Sequence, residues 1–461
     1  MSGLKSATDL PMVHSVDSFV REQLELVDLE RTAEEQQTAE QQAQCSFRQL
    51  EQSGVAILSL TVAERKTGLG GRMLLTMEKC RGGVTGPLPA HRLSSGDIVA
   101  LRDTSSPALQ QDGAASDERG LVYRVSEAQI IVAIEDPDRA DDIQGTVHLL
   151  RLANDITYKR YRHILHQVDE CAPGHATSRL KDVLFGQAEP HFRAPVKIHP
   201  MNPNLNSSQV EAIEFALSAS DVALIHGPPG TGKTTTIVEL IRQAVKRGDK
   251  VLACAPSNVA VDNMAERLAN GGVKIVRLGH PVRLLDSVTQ HSLDVQVQNS
   301  DGKGLAKDVR QDMNAILQKM GCKKTKKQER YALRGELKEL RKELRKREDQ
   351  AVKEVMGHAR VVLATNTGAA DYALKHMEAA FDLVVIDEAA QALEVSCWIP
   401  MLRGRRVVLA GDHKQLAPTI TSAEAAKRGL GLTLFDRVVG MYGASCTRML
   451  NVQYRMNQEI R

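Results

Sequence analysis

Aromatic residues are scarce: one Trp, seven Tyr and seven Phe make up 3% of the 461-residue chain. That argues against an aromatic-rich all-β fold as the whole architecture. No run of 18 apolar residues occurs, so no membrane-spanning helix is expected. The opening Met1 to Lys5 leads into acidic and Gln-rich sequence and lacks the apolar region of a secretory signal. Cysteine is sparse, odd in number and scattered, at positions 45, 80, 171, 254, 322, 397 and 446. No CxxC pair exists, so neither a disulfide framework nor a Cys-based zinc site is expected. An excess of one charge is also missing, because 60 Lys+Arg against 57 Asp+Glu leaves +3. Whole-chain charge therefore does not announce a nucleic-acid binder. The expectation is an intracellular, reduced protein without a membrane partner, cytoplasmic and also nuclear.

At roughly 150 residues per domain the length allows about three domains, and 42% hydrophobic with 25% charged residues is an ordinary globular balance. Residues 15–51 read as a helix, with Phe19, Val20, Leu24, Val27 and Leu29 on one face. From 54 to 153 short apolar runs alternate with Gly-, Pro- and Asp-rich turns: Val55–Leu60, Arg72–Met77, Ile98–Leu101, Leu121–Val125, Ile130–Ile134 and Val147–Leu150. That pattern predicts a small β-barrel. Residues 154–171 return to helix, and a Pro-rich linker follows. From about 204 the chain reads as α/β. The runs Val222–Ile225, Val251–Cys254, Lys274–Leu278, Val361–Ala364, Leu383–Ile386 and Val407–Leu409 predict buried parallel strands.

Residues 291–357 interrupt the alternation with no strand. Leu333, Leu337, Leu340 and Leu344 fall at 4-3-4 spacing, the seam of a helical hairpin or short coiled coil. Lys323 to Lys353 carries 13 basic against 6 acidic residues. This is either a solvated helix or a surface facing nucleic acid, with Lys338, Arg341 and Arg345 within about two turns of one another.

The strongest chemical signal is Gly227-Pro228-Pro229-Gly230-Thr231-Gly232-Lys233-Thr234, placed between an apolar strand and a helical run. The glycines let backbone N–H groups cradle phosphates, Lys233 reaches the β- and γ-phosphates, and the Thr234 hydroxyl suits Mg²⁺. A second signal is the strand Leu383–Ile386 running into Asp387-Glu388-Ala389-Ala390-Gln391. Asp387 at the strand end would hold Mg²⁺ through water, and Glu388 would take a proton from the attacking water. The third, Gly411-Asp412-His413-Lys414-Gln415-Leu416-Ala417-Pro418, follows the next strand, where Gln415 sits in place to read a γ-phosphate. The fourth, Gln453-Tyr454-Arg455-Met456, sets a flat ring beside a guanidinium.

In this order and spacing the four motifs resemble those of superfamily 1 helicases of the up-frameshift-like group. Asn206-Ser207-Ser208-Gln209 resembles that group's Q motif, and Ala255-Pro256-Ser257-Asn258-Val259-Ala260-Val261-Asp262-Asn263 its motif Ia. Arg277-Leu278-Gly279-His280-Pro281 and Ala364-Thr365-Asn366-Thr367-Gly368 resemble its later contact motifs. The N-terminal helix, Gly71-Arg72 and Leu152-Ala153-Asn154-Asp155-Ile156-Thr157-Tyr158 are similar to one DNA/RNA helicase branch of the group. The resemblance spans essentially the whole chain and implies a division into domains. These are a stalk helix (1–53), a small barrel (54–153), a second stalk helix and linker (154–203), a RecA-like P-loop domain (204–290 and 358–461), and a basic helical insertion (291–357). The implied fold class is α/β, a parallel P-loop sheet with a barrel on a helical stalk.

The resemblance also implies roles. Gln209 would bond the adenine edge and Tyr454 stack on the ring. Gln415 and Arg455 would contact the γ-phosphate and couple its loss to movement. Pro256, Ser257, Asn258, Thr365 and Asn366 would line a single-strand track. ATP and Mg²⁺ are the implied cofactors. The implied partners are single-stranded DNA and RNA, with ribonucleoprotein beside them, for a monomer moving 5′→3′. A nucleotide switch without a motor is the alternative, although motif Ia and Thr365-Asn366 serve no purpose in it. A binding-only behaviour is a third. Two departures stand out: Ala417 where the group often has Pro, and an end at Arg461 soon after Gln453–Met456. The expectation from the latter is an N-terminal portion that binds ATP in part and does not unwind.

Overall fold

The computed structural model describes residues 15–43, 45–68, 72–81, 84–94, 96–103, 118–134, 143, 145–152, 155–171, 177–279, 284–299, 303–321, 327–377 and 381–455. The sequence features at 1–14, Gly71, Ala153, Asn154, Pro173, His280, Pro281, Cys322, Lys323, Lys324, Lys326 and Met456 onward lie outside the described residues.

Each of the six apolar runs read between 54 and 153 falls on a strand. The strands are β1 (Ala56–Thr67), β2 (Met73–Arg81), β3 (Val84–Gly86), β4 (Ile98–Asp103), β5 (Glu118–Val125), β6 (Gln129–Ile134) and β7 (Thr146–Arg151). They run in the order β1-β7-β4-β5-β6-β2-β3, and β1 also pairs with β2. Six antiparallel strands thereby close into a barrel, and the short β3, absent from the sequence reading, hangs on β2. Closure removes the open edges that such strands would otherwise expose. Residues at every second position, among them Met73, Leu75 and Met77 of β2 and Ile130, Val132 and Ile134 of β6, fill the interior.

The second sheet is β8 (Val222–His226), β9 (Val251–Ala255), β10 (Ile275–Arg277), β11 (Val361–Thr365), β12 (Leu383–Ile386), β13 (Val407–Gly411) and β14 (Thr447–Met449). All seven are parallel, in the order β10-β11-β9-β12-β13-β8-β14. Helices cover both faces, which is why these strands read as continuous apolar runs. Val222 and Leu224 pack on one side with Trp398 and Phe435; Ala223 and Ile225 pack on the other with Ile237 and Leu240.

One expected helix proves to be two. The segment read as 15–51 divides into Val16–Ala43 and Phe47–Gln52, the second started by Ser46, whose side chain accepts from the Gln49 amide in a capping box. The long helix lies against Asp155–Glu170, joined by Tyr158 Oη donating to Glu34 at 2.7 Å and by Arg31 to Asp155 at 3.1 Å. The insertion is helical as expected: Leu293–Asn299, Lys303–Gly321 and Lys327–His358. Its leucine seam does more than close a hairpin. Leu337 and Leu344 are fully buried in one apolar cluster with Val309 and Met313 of the facing helix and Ile57 and Leu60 of the barrel. Insertion and barrel thus share a core. The whole is an α/β fold with a parallel P-loop sheet, a barrel on a helical stalk and a helical insertion.

Candidate nucleotide site and strand track

In a parallel sheet with helical crossovers, loops at the carboxyl ends of the strands gather along one edge. Here that edge carries every motif singled out above. Reading across it, β11 ends at Thr365 and β9 at Ala255, then β12 runs into Asp387, β13 into Asp412, and β8 into Gly227.

The loop after β8 makes a sharp turn into the helix Lys233–Lys246. Gly230 and Gly232 take φ of +76° and +79°, where a side chain is strained. A Cβ on Gly227 would lie 2.9 Å from Lys233 Cβ, and one on Gly232 would lie 2.5 Å from Gln209 Nε2. The cradle therefore has room for backbone only. Lys233 is buried, with Nζ 2.6 Å from Glu388 Oε2 and 3.8 Å from Asp387 Oδ1. Burial pushes the Asp387 carboxyl up to about 6 against the pull of Lys233. Its Oδ1 accepts the Glu388 amide at 2.8 Å. Glu388 sits at φ +53°, ψ +36°, an αL conformation rare for a non-glycine residue. Thr234 opens the helix beside Lys233 and is half-buried.

The other predicted nucleotide residues gather on this loop. Tyr454 donates its amide to the Gly230 carbonyl at 2.8 Å, and Gln453 Nε2 donates to the Pro229 carbonyl. The Tyr454 ring is 59% exposed, with its hydroxyl accepting from Asn206 Nδ2 at 2.7 Å. Arg455 is exposed and its amide donates to Gln453 Oε1. Gln209 is placed differently from the expectation. Its Oε1 accepts the Asn206 amide and its Nε2 donates to the Thr231 carbonyl, each at 3.0 Å. Each end of the amide makes one bond, to a helix cap and to the P-loop, so in this state it braces the loop and keeps one N–H and one lone pair in reserve. Gln415 is exposed and donates to Asp412 Oδ2 at 2.9 Å.

On the adjoining half of the edge, Pro256 and Ser257 are exposed at the start of helix Asn258–Asn270, which Ser257 caps through the Ala260 amide. Asn258 Oδ1 accepts from Arg277, and Thr365 Oγ1 accepts the Gly368 amide. Asn366 lies deeper than its neighbours on this edge. It is 1% exposed and donates to Ser396 at 3.4 Å, so it supports the loop from beneath and presents no side chain to a strand. Arg277 likewise turns inward to Asp262 at 2.8 Å. Burial is a property of the folded sheet, and neither residue type discloses it. Val259, inside the same motif, is 64% exposed beside Ser257. Gln453 and Asp412 were passed over, although both stand inside motifs already recognised.

A P-loop, two strand-end carboxylates and a polar shelf on the next strands define a P-loop protein of the helicase kind. Comparison with known proteins agrees. The model of the Helicase SMUBP-2/HCS1 1B domain matches residues 20–152, and that of an AAA domain matches 204–423. The chain is 46% identical over 456 residues to the DNA-binding protein SMUBP-2 of Rattus norvegicus, covering 97% of this chain and 45% of that protein. It is 36% identical over 453 residues to the DNA polymerase alpha-associated DNA helicase A of Schizosaccharomyces pombe, covering 96% and 67%. With the regulator of nonsense transcripts 1 homolog of Neurospora crassa it shares 40% over 272 residues, 57% of this chain and 22% of that one. The chain belongs to the superfamily 1 helicases, in the SMUBP-2/HCS1 family. It spans about half the length of the rodent relatives. No helix among the described residues is long and apolar enough to cross a membrane.

Proposed function

We propose that the chain is a working part of an ATP-dependent DNA/RNA helicase that couples ATP hydrolysis to 5′→3′ translocation on single strands. The observation that carries this reading is Lys233, held under a glycine cradle between Asp387 and Glu388, on the same sheet edge as Pro256–Asn258 and Thr365. Nucleotide and strand then occupy adjoining halves of one rigid edge, which is what coupling requires.

An arriving phosphate draws the Lys233 ammonium from Glu388 onto its own oxygens, one ion pair exchanged for another. Glu388, released, accepts a proton from water aligned on the γ-phosphate. Gln415 turns from Asp412 toward that phosphate, and Arg455 approaches it from the segment latched to the P-loop. The exposed Tyr454 ring stacks on the base, while Gln209 keeps the loop in shape. The Thr234 hydroxyl and the buried Asp387 carboxylate suit a hard cation and would hold Mg²⁺. That ion supplies charge neutralisation on the phosphates. The division into a stalk (1–53), barrel (54–153), second stalk and linker (154–203), P-loop domain (204–290 and 358–461) and insertion (291–357) belongs to this proposal. So does a monomer working on DNA, RNA and ribonucleoprotein in cytoplasm and nucleus.

The test is phosphate release with and without single-stranded DNA or RNA. The expected result is stimulation by the strand, absent in Lys233→Ala, whose ATP affinity by calorimetry falls below detection. Equal ATP affinity in that variant overturns the site. Turnover indifferent to nucleic acid favours the nucleotide switch.

A further inference from the structure

His226 and Asp412 stand at the ends of β8 and β13; Asp412 is the resting partner of Gln415, and His226 has no role in the chemistry above. Side chains alternate along β8, so His226 shares the face of Val222 and Leu224, away from the P-loop helix. On that face it meets Phe435, ring centroids 6.3 Å apart, and His413, 4.7 Å apart. Asp412 is 4% exposed. Its Oδ1 takes His226 Nε2 at 3.0 Å and the Lys414 amide at 3.0 Å, and its Oδ2 takes Gln415 Nε2. His413 is exposed, and no hydrogen bond to its ring nitrogens is found among the described residues. One ligand atom from each of His226, Asp412 and His413 can be chosen so that all lie within 4.8 Å of one another.

We propose that His226, Asp412 and His413 form a binding site for a borderline divalent transition-metal cation, zinc foremost, on the face of β8 turned away from the P-loop helix. Two imidazoles and a carboxylate with an open fourth position are a donor set that suits zinc and offers little to magnesium. Ligands at about 2.0–2.2 Å around a tetrahedral ion stand about 3.4 Å apart. The His226–Asp412 pair needs to open by only a few tenths of an ångström, and the exposed His413 supplies the remaining movement. The cation replaces the proton between His226 Nε2 and Asp412 Oδ1, while Gln415 keeps its hold on Oδ2.

The experiment is competition for Zn²⁺ between the 461-residue chain and a chromophoric chelator, without nucleotide, together with the visible spectrum of the Co²⁺ form. Wild type is expected to retain one equivalent, with Co²⁺ showing weak d–d bands and no thiolate charge transfer. His413→Asn, at an exposed position, is expected to keep its thermal melt and lose affinity by more than about tenfold; His226→Gln does the same. Lack of retention by wild type, retention unchanged in both variants, or a thiolate band each overturns the site.

Discussion

At the scale of single residues, Glu388 shows how the fold spends strain. Its αL backbone costs about 1–3 kcal/mol, and in exchange the carboxylate meets Lys233 at 2.6 Å and Gln391 Nε2 at 3.2 Å. Glu388→Gln keeps shape and hydrogen bonding but cannot accept a proton. It is expected to bind ATP near normally while turnover in a strand-stimulated enzyme falls about 10²–10⁴-fold. Phosphate release beside calorimetry decides it, and unchanged turnover reduces Glu388 to a resting partner of Lys233. Asp294, on the insertion, carries a different kind of tension. Burial, then the Asp371 charge, raises its carboxyl to about 6, against Arg72 and Arg310. A folded value above the unfolded one favours the protonated fold, so this contribution is complete below about pH 4 and lost as pH rises through about 6. The full shift is worth on the order of 3 kcal/mol for this half-buried side chain. Asp294→Asn is therefore expected to melt a few degrees above wild type at pH 7.5 and level with it near pH 4. An equal offset at both pH values means that titration is not its cause. The P-loop was legible because its residues are contiguous and their chemistry follows from spacing. The buried settings of Gln209, Asn366 and Arg277 were not, because burial is decided by distant segments.

At the scale of elements, apolar alternation between glycine-rich turns disclosed all six barrel strands, and continuous apolar runs disclosed six of the parallel strands. The two that escaped, β3 and β14, are three-residue strands, Val-Thr-Gly and Thr-Arg-Met, without the apolar run that marks the equally short β10. The break before Phe47 escaped because a cap outweighed a run of helix formers. On the insertion, the basic face is sorted by the apolar seam. Lys338, Lys342 and Arg345 are exposed, whereas Arg341 is half-buried against the leucines and does not join them as the spacing suggested. Because the hairpin packs on the barrel through Leu337 and Leu344, the exposed cations have a fixed platform. Charge reversal of those three is expected to weaken single-strand binding and to lower its salt slope by about 0.7 for each phosphate that is no longer neutralised. Filter binding across a salt series measures it, and an unchanged slope makes the helix a solvated one.

At the scale of the molecule, the stalk ties the outer modules to the catalytic edge. Glu30, buried on the first helix, accepts the Thr421 and Ser422 amides at 2.7 and 2.8 Å, shortly after Gln415. Leu26 packs with Ala425 and Leu430. The stalk helix is thereby fastened to the segment that follows Gln415. A stroke, however, needs two bodies that close and open around the nucleotide. Among the described residues one parallel sheet carries the P-loop, and Tyr454 and Arg455 lie exposed on its rim with no second sheet against them. Residues 1–461 by themselves are thus expected to hold a strand and bind ATP weakly, since part of the charge stabilisation in such a cleft comes from the facing body. They are not expected to separate a duplex. A fluorescent duplex with a 5′ overhang, given to residues 1–461 and to a longer polypeptide bearing a second RecA-like domain, measures this directly. ATP-dependent strand separation by residues 1–461 would show that the stroke runs between the P-loop sheet and the barrel–insertion unit, with Glu30 as its linkage.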